Sequence, residues 1–234
     1  MRLLLTRQRE DAERTARALR ARGHDVLLAP LLRIETIADA ELGPPPFAGI
    51  LITSANAARA VAAHSRFGEI ASLPLLAVGD RSAEIARASG FTDVASAEGD
   101  ADALARAAAA RFASSNAPLL YLAGENRARD PAAGLAGLIL RTVVVYRAVK
   151  VEELPPALRE ALAAGRLDGV LHFSLRTAEA YMDGAKTAGL LDRALAPTHY
   201  CLSARVAGAL APAQDVRSAP HPDEAALLDL VGAD

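Results

Sequence analysis

The sequence predicts an α/β protein made of two domains, each a parallel sheet with helices on both faces. Three observations predict it. Short apolar runs alternate with helical stretches, the strand candidates are too many for one sheet in 234 residues, and the second half repeats the first. The chain is 52% hydrophobic and 23% charged, which supplies a real core and excludes disorder as the dominant state.

Residues 2–6 read as the first strand. The stretch 8–22 carries Ala12, Ala16 and Leu19 on one helical face and stops at Gly23. Strand 25–29 follows, and then an apolar run from Leu31 to Ile37 with no helix behind it. Pro44, Pro45 and Pro46 break the chain. Strand 49–53 leads into helix 55–64, strand 73–78 into helix 80–89, and strand 93–95 into helix 100–112, with Asp100 as its cap. The order then recurs. Strand 119–122 precedes a helix from about 130 to 137, and a second long run, Val143 to Val149, has no helix at once behind it. Helix 155–164, strand 169–173, helix 175–188, strand 198–202, helix 204–210, strand 216–218 and helix 223–231 complete the chain.

The repeat is visible residue by residue. Gly49-Ile50-Leu51-Ile52-Thr53-Ser54 aligns with Gly169-Val170-Leu171-His172-Phe173-Ser174, an offset of 120. Asp93-Val94 aligns with Asp215-Val216, and residues 119–122 with residues 2–5, in the same order. The two long runs occupy equivalent places, and paired antiparallel they would connect the domains. The expected boundaries are 1–33 plus 151–234 for a discontinuous first domain, 38–144 for the second, and 31–37 with 143–149 as connecting strands.

Charge and motifs exclude several functions. A formal charge of −2, from 26 basic and 28 acidic residues, gives no nucleic-acid footprint. One cysteine, Cys201, excludes an intrachain disulfide and a Cys-based zinc site, and its apolar neighbours make it a buried small hydrophobe. No apolar stretch is long enough for a signal peptide or a bilayer span, so a cytoplasmic, soluble protein is expected. Neither Gly-x-x-x-x-Gly-Lys nor Gly-x-Gly-x-x-Gly appears, which argues against nucleotides. His172 and His199 lie in apolar strands and read as hydrogen-bonded core residues, and no metal site is expected.

The polar residues collect where strands turn into helices: Thr6-Arg7, Thr53-Ser54-Ala55-Asn56, Gly79-Asp80-Arg81-Ser82, Gly124-Glu125-Asn126-Arg127, Ser174-Leu175-Arg176-Thr177 and Ser203-Ala204-Arg205. Open α/β sheets bind ligands at the carboxyl ends of their strands. Helix N-termini there present free N–H groups to anions. Arginines at or near every turn make the set an anion-binding rim, although each serine taken alone reads first as a helix cap. Tyr146 ends a run of valines and brings a phenol close to a domain junction, where it is either a proton donor or an ordinary strand aromatic.

These residues resemble the uroporphyrinogen-III synthase family. The resemblance is carried by Leu5-Thr6-Arg7, Ile52-Thr53-Ser54-Ala55-Asn56-Ala57, Ala77-Val78-Gly79, the run Leu120 to Arg127, Val145-Tyr146-Arg147-Ala148 and Phe173-Ser174. It implies two flavodoxin-like α/β domains joined by a two-stranded antiparallel linker. It also implies a cofactor-free, monomeric lyase that closes linear hydroxymethylbilane with loss of water and inverts the last pyrrole ring. The product, uroporphyrinogen III, carries eight carboxylates, which suits a rim of N–H donors and arginines. The family's catalytic tyrosine falls on Tyr146, as general acid or hydrogen-bond donor. Substrate contacts are expected at Arg7, Ser54, Asn56, Gly79, Ser82, Asn126, Arg127, Ser174, Arg176 and Ser203. The chain departs from the family at Gln8, where proline is common, and at Val206, where a hydroxyl contact is lost. A transient contact with the upstream hydroxymethylbilane synthase is a further implication. Two other readings stand beside this one: a non-catalytic two-lobed protein that binds a small anion or a tetrapyrrole, and a sugar-nucleotide transferase.

Overall fold

A computed structural model describes residues 1–126, 135 and 137–232. In chain order its elements begin β1 (Arg2–Leu5), α1 (Arg9–Ala21), β2 (Asp25–Leu28), β3 (Leu32–Thr36), β4 (Gly49–Ile52), α2 (Ala55–Ala62), α3 (Phe67–Ile70), β5 (Leu75–Ala77), α4 (Asp80–Ala88), β6 (Val94–Ser96), α5 (Ala101–Phe112) and β7 (Leu119–Gly124). They continue with β8 (Leu140–Lys150), α6 (Pro156–Ala163), β9 (Gly169–His172), α7 (Leu175–Thr187), α8 (Leu191–Leu195), β10 (Thr198–Cys201), α9 (Ala204–Ala207), a single 3₁₀ turn (Gly208–Leu210), β11 (Val216–Ser218) and α10 (Glu224–Asp229).

The chain divides into two compact units. One comprises Met1–Arg33 with Val149–Asp234, the other Ile34–Ala148. The first holds a five-stranded sheet in the order β11-β10-β9-β1-β2, with every neighbour parallel. Its strands are apolar on both faces. Leu4 and Val170 pack with Leu158, Leu162 and Tyr181 of the helices on one side, while Leu3, Leu5 and Leu171 pack with Leu19 and Leu227 on the other. Two-sided burial explains why these strands read as continuous apolar runs instead of alternating ones.

The second unit holds a sheet ordered β3-β8-β7-β4-β5-β6. Ile50, Ile52, Leu120 and Leu122 face α2 and α4, and Leu51, Leu119 and Tyr121 face α5. Read without β3, its order matches the first sheet strand for strand. The pairs are β6 with β11, β5 with β10, β4 with β9, β7 with β1, and β8 with β2. The self-matching segments fall on equivalent strands: residues 49–54 and 169–174 on β4 and β9, residues 93–94 and 215–216 at β6 and β11, residues 119–122 and 2–5 on β7 and β1.

Local chemistry sets the helix ends. Asp100 caps α5, its carboxylate accepting the N–H groups of Asp102 and Ala103 at 3.0 and 2.9 Å. α1 buries Ala12, Thr15, Ala16 and Leu19 and stops before Gly23, whose φ of +83° only glycine takes readily.

Three expectations need correction. The run 143–149 is part of a longer strand of the second unit's sheet. β8 begins at Leu140 and pairs in parallel with β7, from Leu119 opposite Leu140 to Gly124 opposite Tyr146, because Val143 and Val145 are needed in the apolar cluster under α2 and α4. β3 lies on the other side of β8. Ile37 N–H donates to Val145 C=O at 2.9 Å, and Val151 N–H to Leu31 C=O at 3.0 Å, so one strand advances as the other retreats. The unit boundaries fall inside both strands, after Arg33 and after Ala148. The helix expected over 204–210 ends as α9 at Ala207 and tightens into the 3₁₀ turn. Finally, α3 and α8 add to the expected elements; helices of four and five residues are too short to show a period. The helix expected from 130 to 137 lies outside the described residues apart from positions 135 and 137.

Candidate functional site

The carboxyl edge of the second unit's sheet brings three of the expected turns side by side, since β7, β4 and β5 are neighbours. At the end of β4, Ser54 is extended (φ −149°, ψ 138°) and caps α2, its Oγ accepting the Asn56 N–H at 3.2 Å. Asn56 Oδ1 in turn accepts from Arg59 Nη1 at 3.2 Å. Thr53 shares a hydrogen bond of 2.9 Å with the hydroxyl of buried Tyr121, a large polar side chain that needs such a partner. At the end of β5, Gly79 is the extended cap of α4, and a Cβ built on it would meet nothing within 4 Å. The turn is therefore bare backbone facing open space, with Ser82 half-buried in the first turn of α4.

At the end of β7 the ring of Tyr146 lies over Gly124. Tyr146 is half-buried and packs against the apolar cluster beneath α2 and α4. Its carbonyl accepts the Glu125 N–H at 2.9 Å. Asn126 is exposed, and Arg127 lies outside the described residues.

The first unit sets out its own three turns along β10, β9 and β1. Arg7, after β1, is gripped by its own unit. Nη1 donates to Glu224 at 3.1 Å and to Thr15 at 3.3 Å, Nη2 stands 3.5 Å from Asp11, and the guanidinium lies 4.1 Å over the Phe173 ring. Burial works against charge on Glu224. Hydrogen bonds from Thr15 and Arg14 and the charges of Arg7 and Arg14 outweigh it and hold the carboxyl below its ordinary range. Ser174 caps α7, accepting the Thr177 N–H at 3.2 Å, and Arg176 is half-buried in the same turn. Ser203 is extended before α9 but makes no side-chain cap bond. Val206 is core, packed with Ala178, Cys201 and Leu210. Beside the turns after β9 and β10 a groove of about 650 Å³ is lined in part by Lys150, Leu175, Glu179, Asp183 and Arg205, with Lys150 held by Asp183 at 2.7 Å.

His172 and His199 are fully buried, and His172 Nε2 meets His199 Nδ1 at 3.0 Å. Burial lowers both, His172 with help from the neighbouring ring and His199 to about 4. Burial also pushes the Cys201 thiol up to about 12, so it is no nucleophile at neutral pH. Among the described residues no cluster of three His, Cys, Asp or Glu side chains is placed to hold a metal, and no helix is long and apolar enough to cross a membrane.

Sequence reading missed Gly124 under Tyr146, Tyr121 behind Thr53, and Phe173 and Glu224 around Arg7. Only Gly124 and Phe173 carried a signal, as parts of strand-end motifs. Glu224 stands 217 positions from Arg7, and nothing local announces such a pairing.

The family model described as Uroporphyrinogen-III synthase HemD matches residues 13–229. No curated protein matches the chain. Among solved structures, the uroporphyrinogen-III synthetase of Helicobacter pylori superposes with a TM-score of 0.64 at 18% identity, covering 99% of this chain and 98% of the other. A mutant uroporphyrinogen III synthase from the extremely thermophilic bacterium Thermus thermophilus gives 0.46 at 18% identity, with 99% and 97% covered.

Proposed function

The chain belongs to the uroporphyrinogen-III synthase family, and from that premise we propose how its strand ends serve the reaction. The function is closure of linear hydroxymethylbilane with loss of water and inversion of the last pyrrole ring, giving uroporphyrinogen III. The chemistry is that of a lyase. The C–O bond of the hydroxymethyl group breaks, the oxygen takes a proton and leaves as water, and the electron-rich pyrroles carry the cationic character left behind. The last ring then attacks through the substituted carbon that free closure would not use. The bond from that carbon to its original methylene bridge breaks, the freed bridge carbon bonds to the ring's other α-carbon, and the proton lost there balances the one delivered to the hydroxyl. Orientation is the hard part, and it is work for a fixed array of contacts.

In this reading Tyr146 supplies the proton or hydrogen bond to the departing hydroxyl. The backbone at Gly79 and the turns at Ser54, Asn56, Ser82 and Asn126 hold substrate carboxylates in the second unit. Ser174, Arg176 and Ser203 do so in the first, with Arg127 as a further cation. Arg7 keeps its guanidinium at the end of β1 while Glu224 partly neutralises it. One observation supports the assignment above the others: the phenol of Tyr146 lies over the end of β7, beside the Thr53–Asn56 turn of the adjacent strand.

The test is incubation with hydroxymethylbilane generated enzymatically in the assay. The native chain is expected to give isomer III. Tyr146→Phe is expected to lower kcat by about ten- to a hundredfold, the range of a single proton donor, with product affinity unchanged. Isomer I alone from the native chain would sink the function, and a fully active Tyr146→Phe would sink the role of the phenol.

A further inference from the structure

We propose that Gly124 is a positioning residue for the Tyr146 phenol, acting together with a bulge in β8; the proposal rests on the reading of Tyr146 given above. Successive side chains of a strand point to opposite faces. Val143 and Val145 both enter the apolar cluster beneath α2 and α4, so a regular strand would send Tyr146 to the other face. Instead Tyr146 packs on that same cluster. The register shows how. Ala123 stands opposite Val144, but Gly124 stands opposite Tyr146, so β8 spends one extra residue there. A bulge of this kind bends the strand and re-aims the side chain that follows.

The re-aimed ring needs room, and Gly124 supplies it. A Cβ at position 124 would lie 2.6 Å from Cζ of Tyr146 and 2.8 Å from both Cε2 and the hydroxyl oxygen, its three nearest atoms. All three belong to the phenol end of the ring. Gly124 is not among the glycines with positive φ, so the backbone does not demand glycine. A glycine inside a strand loses conformational entropy and packs nothing. What it provides here is a seat for the phenol on the strand end, next to the Thr53–Asn56 turn of β4. Any side chain at 124 must displace the hydroxyl.

The experiment pairs kinetics with a chemical probe on the full chain. In Gly124→Ala, kcat is expected to fall by about the same factor as in Tyr146→Phe, with KM within about twofold. Added to Tyr146→Phe, the same change is expected to cost less than twofold more. Nitration by tetranitromethane reads the phenol directly, because Tyr121, Tyr181 and Tyr200 are buried and Tyr146 is the half-exposed tyrosine. Its rate at Tyr146, mapped by peptide mass, is expected to change severalfold in Gly124→Ala. If Gly124→Ala melts early, Tyr146→Ala beside it is expected to restore the melting temperature of Tyr146→Ala alone. Unchanged nitration, multiplicative losses in the double variant, or no such restoration would each overturn the proposal. A changed nitration rate with a fully active Tyr146→Phe would uphold the seating of the ring and sink the reading of the phenol, so the two failures are told apart.

Discussion

His172 and His199 show how much of a single residue's behaviour is decided by its surroundings. Each sits in an apolar strand, which is visible in the sequence; that they meet ring to ring at 3.0 Å is not, because they are 27 positions apart. Burial keeps both neutral in the folded protein. Their folded pKa values are depressed, so the unfolded chain binds protons first as the pH falls. Stability from the pair is complete above the ordinary histidine value of 6.5 and is lost as the pH drops towards about 4, where His199 itself titrates. Urea unfolding at pH 7 and pH 5 is expected to give a lower midpoint at pH 5, and replacing both residues by leucine is expected to remove most of the difference. A midpoint that does not move in the native chain would contradict this. The site residues obey the same lesson. Ser54 and Ser174 cap helices, as a serine after a strand suggests, whereas Ser203 in the matching turn does not. The type of residue was legible, but its partner was decided by distant segments.

Elements were legible in proportion to their length. α1, α5 and α7 carry enough turns for a period to show, and Gly23, Asp100 and Gly189 mark ends by chemistry that acts within a few residues. Asp100→Ala is expected to lower the midpoint of urea unfolding, since two N–H groups of α5 lose their acceptor. An unchanged midpoint would mean that water replaces the carboxylate fully. β8 marks the opposite limit. Its valines announce a strand, but its start at Leu140, its pairing with β7 and the bulge before Tyr146 depend on a neighbour that the local sequence does not name. The bulge matters most, because it turns the phenol from the α5 face of the sheet onto the face where α2 and α4 begin.

On the scale of the whole molecule, each unit closes its own core. Among the described residues every apolar cluster lies wholly within one unit, and those of the second unit fall between residues 37 and 146. Residues 34–148 expressed alone are therefore expected to unfold cooperatively in urea; a gradual, featureless transition would show that this core needs the rest of the chain. The first unit offers no such cut, because its sheet joins β1 and β2 to strands beyond residue 168. By itself the sequence determined the α/β class, the doubling and the placing of polar turns at strand ends. Those depend on periodicity, on strands apolar throughout and on repetition, all of which are written along the chain. Only the tertiary structure decided that β8 joins the second sheet, that Arg7 is held by Glu224, and that Tyr146 rests on Gly124. Each of these is a contact between segments distant in sequence, selected by the packing of the whole unit, and short-range residue patterns do not encode it.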